Sequence, residues 1–485
     1  ANSLHTVVFA MLACCCRAPQ ECSAFLLTAH LIGAAIADTL LCKQGARRDA
    51  GSDSRCSLSK LYGNVFTVHF GPRKAVVLAG YETIKDALLN HAEEFGERAE
   101  IPIFRKMTRG NGFDTFILGI AFSHGELWKT MRRFTLSTLR DFGMGRRTIE
   151  VRILEELNSL IKYFQSYQGE ELRTTFPQKP DQISMILNNA VSNVICSILF
   201  GERFEYDDPE FLTLLKLLNE NTKLLVLYHV SPNTKILHIL FPTAYGGNVV
   251  TSGITCCRTY SCCLFVLKES KKPHSMFHNE SLLFSTLDLF AAGTETTSTT
   301  MRWGLLLMMK YPEIQSKEEM NQVIEPGEMP KLEDRKKMPY TDAVIHEIQR
   351  FANIVPMGVS RSTPSDVNFQ GYVIPKGTEI IPLLTSALND ELHWKTPHQF
   401  NPSHFLDADG NFARREAFIP FSIGRRACVG EGLAKMELFL FFAGLLRKFV
   451  FQPPPGVSKA ELDLTADVGF TLNPMPHLVC AVPCK

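Results

Sequence analysis

The sequence predicts a mainly α-helical protein with a few small β-sheets. Short segments typical of strands occur only in the N-terminal and C-terminal thirds of the chain, at 65–70, 75–78 and 368–384. Hydrophobic residues make up 45% and charged residues 21% of the 485 residues, which excludes a wholly disordered chain or a coiled coil. Apolar residues recur at helical spacing in the longer segments 81–94, 128–138, 148–167, 184–200, 281–311, 341–351 and 428–449.

The charge and the cysteines exclude two classes of protein. Lys and Arg total 51 against 50 Asp and Glu, so the net charge of +1 predicts no nucleic-acid partner. Fourteen cysteines in a chain of this length, several of them adjacent, do not resemble the framework of a small secreted protein. We expect mostly reduced thiols in a reducing compartment.

Residues 1–56 form a segment distinct from residues 57–485. The apolar stretch 24–42 has nearly the length of a membrane span, but it contains His30 and Asp38. An aspartate inside a span costs roughly 3 kcal/mol. The stretch is therefore predicted to be a weak membrane anchor or a buried helix, and the basic residues after it favour the cytosolic side.

The most specific motif is a loop around a single cysteine, which precedes a predicted helix. Its sequence is FSIGRRACVG, from Phe421 to Gly430. Glycines on both sides let the backbone turn and approach a flat group, and a cysteine before a helix lies where amides stabilise a thiolate. With Arg426 nearby for an anion, the loop suits an axial thiolate ligand of haem iron; the alternative is a buried structural cysteine.

This loop resembles the haem-thiolate signature of the cytochromes P450, and the likeness runs from about Leu58 to Lys485. It is strongest to the microsomal second family, which oxidises drugs, steroids and fatty acids. The resemblance implies the cytochrome P450 fold, haem b (iron protoporphyrin IX) ligated by Cys428, and a cofactor loop that includes Phe421, Gly424 and Gly430. It also implies a catalytic domain over 57–485 and monooxygenation of lipophilic small molecules by O2.

Two further motifs match family positions that support or bind the haem. Glu347 and Arg350 lie one helical turn apart and resemble the family's core pair, with His404 as its third member. The resemblance implies that this pair is buried and supports the cysteine loop. The residues that match propionate-binding positions are Trp128, Arg132, Arg361 and Arg426, with Arg109 as a further candidate.

A polar motif inside the apolar helix 281–311 matches the family's oxygen-activating pair, Glu295 and Thr296. Cleavage of the O–O bond needs protons, which a threonine hydroxyl and a neighbouring carboxylate can supply. Gly293 is expected to let a bulky group approach the helix, and Thr296 to bond the carbonyl four residues earlier. A small polar patch between packed helices is the alternative.

The resemblance also implies a substrate pocket and a docking surface. The apolar positions that match the pocket are Phe290, Ala291, Ala292, Val355, Val359 and the turn near Phe470. Electrons from NADPH are expected through NADPH-cytochrome P450 reductase, with cytochrome b5 as a second partner, at the endoplasmic-reticulum membrane. The basic residues that match the docking surface are Lys129, Arg133, Arg140, Arg146 and Lys435.

Three alternatives remain open from the sequence. The haem could serve an isomerase or a gas sensor instead of a monooxygenase. The chain could be a poorly folding variant, because residues 1–56, 113–119 and 245–266 depart from the family pattern. Cys257, Cys262, His274 and His278 approximate a zinc-finger spacing, but Pro273 disfavours the helix that would present both histidines.

Overall fold

The computed structural model describes most of the chain from Leu58 onward. The described residues are 58–70, 73–99, 119–141, 143, 147–166, 182–216, 218, 279–315, 318–467 and 469–484. The predicted anchor at 24–42, Arg109, Arg146, the segment 245–266 and the zinc-finger-like residues lie outside this set. No helix in the described part of the chain is long and apolar enough to cross a membrane.

Helices form most of the described structure, as the sequence predicts. A π-helical turn, Asp86–Asn90, directly follows the short α-helix Tyr81–Lys85, and short 3-10 helices occur at Leu332–Lys337, Pro402–Phe405 and Lys459–Glu461. The α-helices are α1 (Leu58–Tyr62), α2 (Tyr81–Lys85), α3 (Gly125–Asp141), α4 (Arg147–Ser166), α5 (Gln182–Leu199), α6 (Asn279–Lys310), α7 (Glu318–Val323), α8 (Pro339–Ala352), α9 (Leu384–Leu388) and α10 (Glu431–Lys448).

The strands form one five-stranded sheet and three two-stranded sheets. The large sheet has the order β1-β2-β7-β4-β3, in which β2 and β7 run parallel and the other neighbours are antiparallel. The small sheets pair β5 with β6, β8 with β11, and β9 with β10. The strands are β1 (Val65–Phe70), β2 (Arg73–Leu78), β3 (Glu97–Arg98), β4 (Arg361–Ser362), β5 (Val367–Phe369), β6 (Tyr372–Ile374), β7 (Glu379–Pro382), β8 (Phe449–Gln452), β9 (Ala466–Asp467), β10 (Asn473–Pro474) and β11 (Cys480–Pro483).

The main core surrounds α6. This helix packs against α5, α8 and α10, and α10 also packs against α4. Helices with apolar residues on all sides are typical of the interior of a large domain, and α10 is buried almost continuously from Leu433 to Leu446. A second cluster, which includes Phe95, Trp394 and Phe405, packs beneath the large sheet. Within the main core, Thr297 in the middle of α6 donates to Glu437 in the first half of α10.

The ends of α8 follow from its sequence. Pro339 occupies its first turn, where a missing N–H costs nothing. Asn353 ends it in the left-handed conformation, with a φ of 43°, a geometry that asparagine tolerates. The chain then turns back toward β4, so Val355 and Val359 lie between α8 and Arg361.

Candidate functional site

The cysteine loop is a tight turn that precedes α10. The backbone N–H of Cys428 donates to the carbonyl of Phe421 at 3.0 Å, and that of Ala427 donates to Gly424 at 3.1 Å. Gly424 has a φ of +77°, and a Cβ there would lie 2.1 Å from the carbonyl oxygen of Leu88. Only glycine satisfies both conditions, so this position is fixed by the backbone geometry. Gly430, with a φ of −93°, is the N-cap of α10.

The Cys428 thiol lies in a mixed environment. Backbone N–H groups of Gly430 and Glu431 point to its sulfur and, with the charge of Arg132, lower its pKa. Burial outweighs them, so the net pKa of the thiol is raised. The side chain is nevertheless accessible, although protein surrounds it on most sides.

Four arginines from distant parts of the chain lie near this loop. Arg98, Arg361 and Arg426 are buried, and Arg132 is half-buried. Burial lowers the pKa of all four, and the charges of neighbouring arginines lower it further for the three buried ones. Among the described residues the carboxylate nearest to Arg426 is Glu97, with Nη2 and Oε2 3.6 Å apart. The cluster therefore carries more positive than negative charge.

Backbone carbonyls accept most of the hydrogen bonds of these guanidinium groups. Arg98 donates to Ala121 at 3.1 Å and Val359 at 2.9 Å, while Arg426 donates to Gly96 at 2.9 Å and Ser123 at 2.8 Å. Within the described chain, the buried Nε of Arg361 and Nη1 of Arg426 have no hydrogen-bond partner. Buried donors of this kind normally have an acceptor. The donor set therefore fits an anionic group such as a pair of carboxylates.

Trp128 joins these cations. Its indole ring lies beneath the guanidinium carbons of Arg426 at 3.9 Å, Arg425 at 5.3 Å and Arg132 at 5.9 Å. Aromatic faces attract cations, so the ring offsets part of the repulsion. Arg132 also donates to the carbonyl of Ala427 at 2.8 Å, which ties α3 to the cysteine loop. The structure thus brings together the predicted residues Trp128, Arg132, Arg361 and Arg426.

Arg98 is the residue of this cluster that the sequence reasoning missed. It lies in β3, a strand of only two residues, and its partner Val359 is 261 positions away. No local pattern distinguishes it from a surface arginine. Glutamates at 93, 94, 97 and 100 surround it in the sequence, which favours a solvated surface arginine.

Glu347 and Arg350 form a buried pair on α8, each with no exposed side-chain surface. Arg350 donates from Nε and Nη2 to the two carboxylate oxygens, both at 2.8 Å. His404 Nδ1 lies 3.2 Å from Glu347 Oε2, and the backbone N–H of Asn401 donates to Oε1 at 2.8 Å. Arg350 also reaches the carbonyls of Leu388, Pro397 and Gln399. The expected trio is assembled and holds the segment 388–404 against α8.

The polar motif of α6 lies in an uninterrupted helix. Thr296 Oγ1 donates to the carbonyl of Ala292 at 2.7 Å, as expected for a back-bonded threonine. Ala292 is exposed and Thr296 half-buried, although both lie at mid-helix, whereas Glu295 is 6% exposed. One face of this turn therefore opens onto a cavity. A bulky side chain approaches Gly293 closely, as expected: Ile195 of α5 lies 2.6 Å from an ideal Cβ at this position.

Two buried acids near α6 were not anticipated. Burial raises the pKa of Glu437 to about 8; its Oε2 accepts from Thr297 at 3.2 Å. Burial also raises the pKa of Asp288 to about 7, and its carboxylate accepts from the Ala121 backbone N–H at 2.9 Å. Asp288 thereby links α6 to the residues before α3.

The expected pocket residues divide into two groups. Ala292 is exposed, and Ala291, Val355 and Val359 are half-buried. Phe290 is only 3% exposed and belongs to the core cluster. Ala291 and Ala292 therefore lie on the accessible part of α6, Val355 and Val359 lie in the segment between α8 and β4, and Phe290 packs into the core.

Three of the expected docking residues lie on the side of α3 opposite its buried face, whereas Lys435 lies on α10 and is half-buried. Lys129, Arg133 and Arg140 are exposed. Lys129 pairs with Glu126 at 2.6 Å, and Lys435 pairs with Glu431 at 2.6 Å. These local pairs leave Arg133 and Arg140 as the exposed cations of α3 with no ion pair to another described residue.

Comparison with known proteins agrees with this geometry. The family described as "Cytochrome P450" matches residues 41–251 and 256–481. Cytochrome P450 2K4 of Oncorhynchus mykiss is 48% identical over 88% of this chain and 86% of its own length. Cytochrome P450 2K6 of Danio rerio is 46% identical over the same shares, and cytochrome P450 2F1 of Homo sapiens is 41% identical over 89% of each chain. The chain therefore belongs to the cytochrome P450 family, in its second family of haem-thiolate monooxygenases.

Proposed function

We propose that Cys428 is the axial thiolate ligand of haem b. The observation that carries the proposal is an accessible sulfur inside the protein, with backbone N–H groups of Gly430 and Glu431 directed at it. Bound haem supplies the iron at which O2 is activated. The positive metal favours the thiolate over the thiol, which offsets the effect of burial.

The arginine cluster is proposed to hold the haem propionates. Arg98, Arg361 and Arg426 have more positive charge and more hydrogen-bond donors than their protein neighbours can satisfy. Trp128 and Arg132 complete this side of the cofactor site. Two carboxylates placed here would pair with the guanidinium groups in charge-assisted hydrogen bonds.

Thr296 and Glu295 are proposed to deliver protons on the distal side. The Thr296 hydroxyl lies at the open face of α6, where it can accept and pass on a proton. Glu295 is the neighbouring acid that exchanges protons with water. Glu347, Arg350 and His404 have a structural role, because they fix the segment that leads into the cysteine loop.

The substrate is proposed to be a lipophilic small molecule such as a xenobiotic, fatty acid or steroid. Ala291, Ala292, Val355 and Val359 offer an apolar surface with few polar groups beside the distal threonine. One oxygen atom of O2 would enter the substrate by hydroxylation or epoxidation, and the other would leave as water. Exclusion of water by this apolar wall would protect the reaction from side products.

Electrons are proposed to come from NADPH through NADPH-cytochrome P450 reductase. The exposed cations of α3 would attract an acidic partner surface, with cytochrome b5 as an alternative donor. Localisation at the endoplasmic-reticulum membrane, with residues 57–485 in the cytosol and a weak anchor in residues 1–56, is part of the same proposal.

The carbon-monoxide difference spectrum of the reduced protein tests the ligand assignment. The wild type and Cys484→Ala, a control cysteine away from the loop, should give the thiolate-type band. Cys428→His should bind haem with an imidazole-type spectrum instead, and haem content is measured separately. A thiolate-type band in Cys428→His would refute the assignment.

Isotope incorporation tests the activity. Protein reconstituted with the reductase, NADPH and a lipophilic substrate should place one atom of 18O from 18O2 in the product. Haem loading with no NADPH consumption on addition of substrates would instead favour an isomerase or sensor.

A further inference from the structure

The Glu295 carboxylate is held by a turn from the C-terminal part of the chain. Its Oε1 accepts from Thr471 Oγ1 at 3.0 Å and from Asn473 Nδ2 at 3.2 Å. The hydroxyl of Thr299 lies 3.2 Å from the same oxygen, and Arg302 Nη2 lies 3.5 Å from it. Glu295 is therefore surrounded by donors from α6 and from the segment 471–473, which we name the C-terminal turn.

The same turn is anchored to α6 and to the residues that follow α8. Trp303 Nε1 donates to the carbonyl of Leu472 at 2.8 Å, and the backbone N–H of Leu472 donates to Ile354 at 2.8 Å. The Asn473 amide oxygen lies 2.7 Å from Thr299 Oγ1. The turn therefore contacts the acid on one side and the neighbour of the pocket residue Val355 on the other.

This arrangement directs the acid away from Thr296. The Thr296 hydroxyl donates to Ala292 on the accessible face of α6, whereas the Glu295 carboxylate is 6% exposed and faces the C-terminal turn. Adjacent residues in a helix point about 100° apart. Proton transfer from Glu295 toward Thr296 thus requires the carboxylate to leave its present partners.

We infer that Thr471 and Asn473 are positioning residues that hold Glu295 in a resting position, and that proton delivery requires its release from the C-terminal turn. The inference rests on the proposed role of Glu295. The turn is tied to Ile354, beside the pocket wall, so a substrate that displaces it would release the acid. Proton delivery would then depend on an occupied pocket.

The test measures hydrogen peroxide formed from NADPH and O2 without substrate, at saturating reductase. In this leak NADPH supplies two electrons and one proton, solvent supplies a second proton, and O2 is reduced to hydrogen peroxide. Thr471→Val removes the hydroxyl of a 2% exposed side chain at nearly constant shape. We expect the leak to rise about threefold or more, because loss of a hydrogen bond to a charged group shifts the ratio of held to released Glu295 by about tenfold. Thr471→Ser, which keeps the hydroxyl, should give a smaller rise, and Asn473→Ala a rise like that of Thr471→Val.

Two controls separate a positioning role from a looser fold. Thr465→Val makes the same chemical change at an exposed threonine and should leave the leak unchanged. In a Glu295→Gln background, Thr471→Val should have no further effect, because there is no acid to release. A rise that persists with Glu295→Gln, or a wild-type leak in Thr471→Val, overturns the inference.

Failure of the proposed function would look different. If wild type shows the thiolate-type spectrum but Glu295→Gln keeps the wild-type yield of product per NADPH, the proton-delivery role of Glu295 is wrong. If Glu295→Gln lowers that yield and Thr471→Val behaves like wild type, only the positioning role is wrong.

Discussion

Replacement of Glu347 by alanine should be among the most damaging single changes in this protein. Arg350 would keep its charge in a site with no exposed surface, after losing two hydrogen bonds of 2.8 Å to the carboxylate. The backbone N–H of Asn401 and the ring of His404 would also lose their acceptor. Removal of one member of a buried ion pair costs roughly 3–5 kcal/mol.

That loss is large compared with the total free energy of unfolding of a domain. A folded domain is more stable than its unfolded state by about 5–15 kcal/mol, so Glu347→Ala would remove roughly a fifth or more of that stability. Proteins of this size often unfold irreversibly, so we would measure the temperature at which half of the haem absorbance is lost. Haem content per milligram of purified protein is the second measurement.

The chain provides a matched control. Glu328 pairs with Lys331 at 2.8 Å with the same i, i+3 spacing, but both side chains are 52% exposed. Exposed pairs contribute about 0–1 kcal/mol, so Glu328→Ala should be close to wild type. Glu347→Ala protein that is replete with haem and as heat-resistant as Glu328→Ala would show that burial of the pair does not matter as argued.

Three further predictions follow from particular contacts. Gly424→Ala should abolish haem incorporation, because its Cβ would meet the carbonyl of Leu88. Gly371 also has a positive φ, of +83°, but has open space around it, so Gly371→Ala should lower the stability by only about 1 kcal/mol. Equal haem content in the two variants would contradict this prediction. In the folded protein burial raises the pKa of the Glu437 carboxyl to about 8, so the carboxyl is neutral near pH 7. Because the same carboxyl ionises near pH 4.5 in the unfolded chain, its contribution to stability is lost as the pH rises from about 4.5 toward 8. Glu437→Gln should therefore gain heat resistance relative to wild type as the pH rises, by roughly 3 kcal/mol near pH 7, and a pH-independent difference would refute the burial argument. Thr296→Ala should retain haem but form less product per NADPH, and an unchanged ratio would exclude a role in proton delivery.

Much of the helical framework could be predicted from periodicity alone. The segments 148–167 and 184–200 correspond to α4 and α5 within two residues, because each presents a long apolar face. The paired strands 65–70 and 75–78 were equally clear, since a Gly-Pro turn separates them. Helical spacing over 81–94 was less accurate, because the chain leaves the α-helical pattern for a π-helical turn after Lys85.

The site was predictable only where its residues lie in a contiguous motif. The sequence of the loop before α10 predicts Cys428 and Arg426 together, and the resemblance adds Trp128 by its position. The stacking of Arg426 on Trp128 and the contact of Arg98 with Val359 depend on segments separated by hundreds of residues. The net pKa of Cys428 was also missed, because burial is a property of the folded chain and not of the loop sequence.

The crowded guanidinium groups of Arg98, Arg361 and Arg426 have a consequence for biogenesis. Like charges held together in the interior oppose folding, so the chain without its anionic cofactor carries an internal repulsion. A ligand that binds only the folded chain stabilises it by mass action, and one that neutralises such a cluster does so strongly. Haem supply should therefore set how much of the newly made polypeptide survives quality control, and starvation for haem should appear as faster turnover of the protein, not only as a loss of its activity.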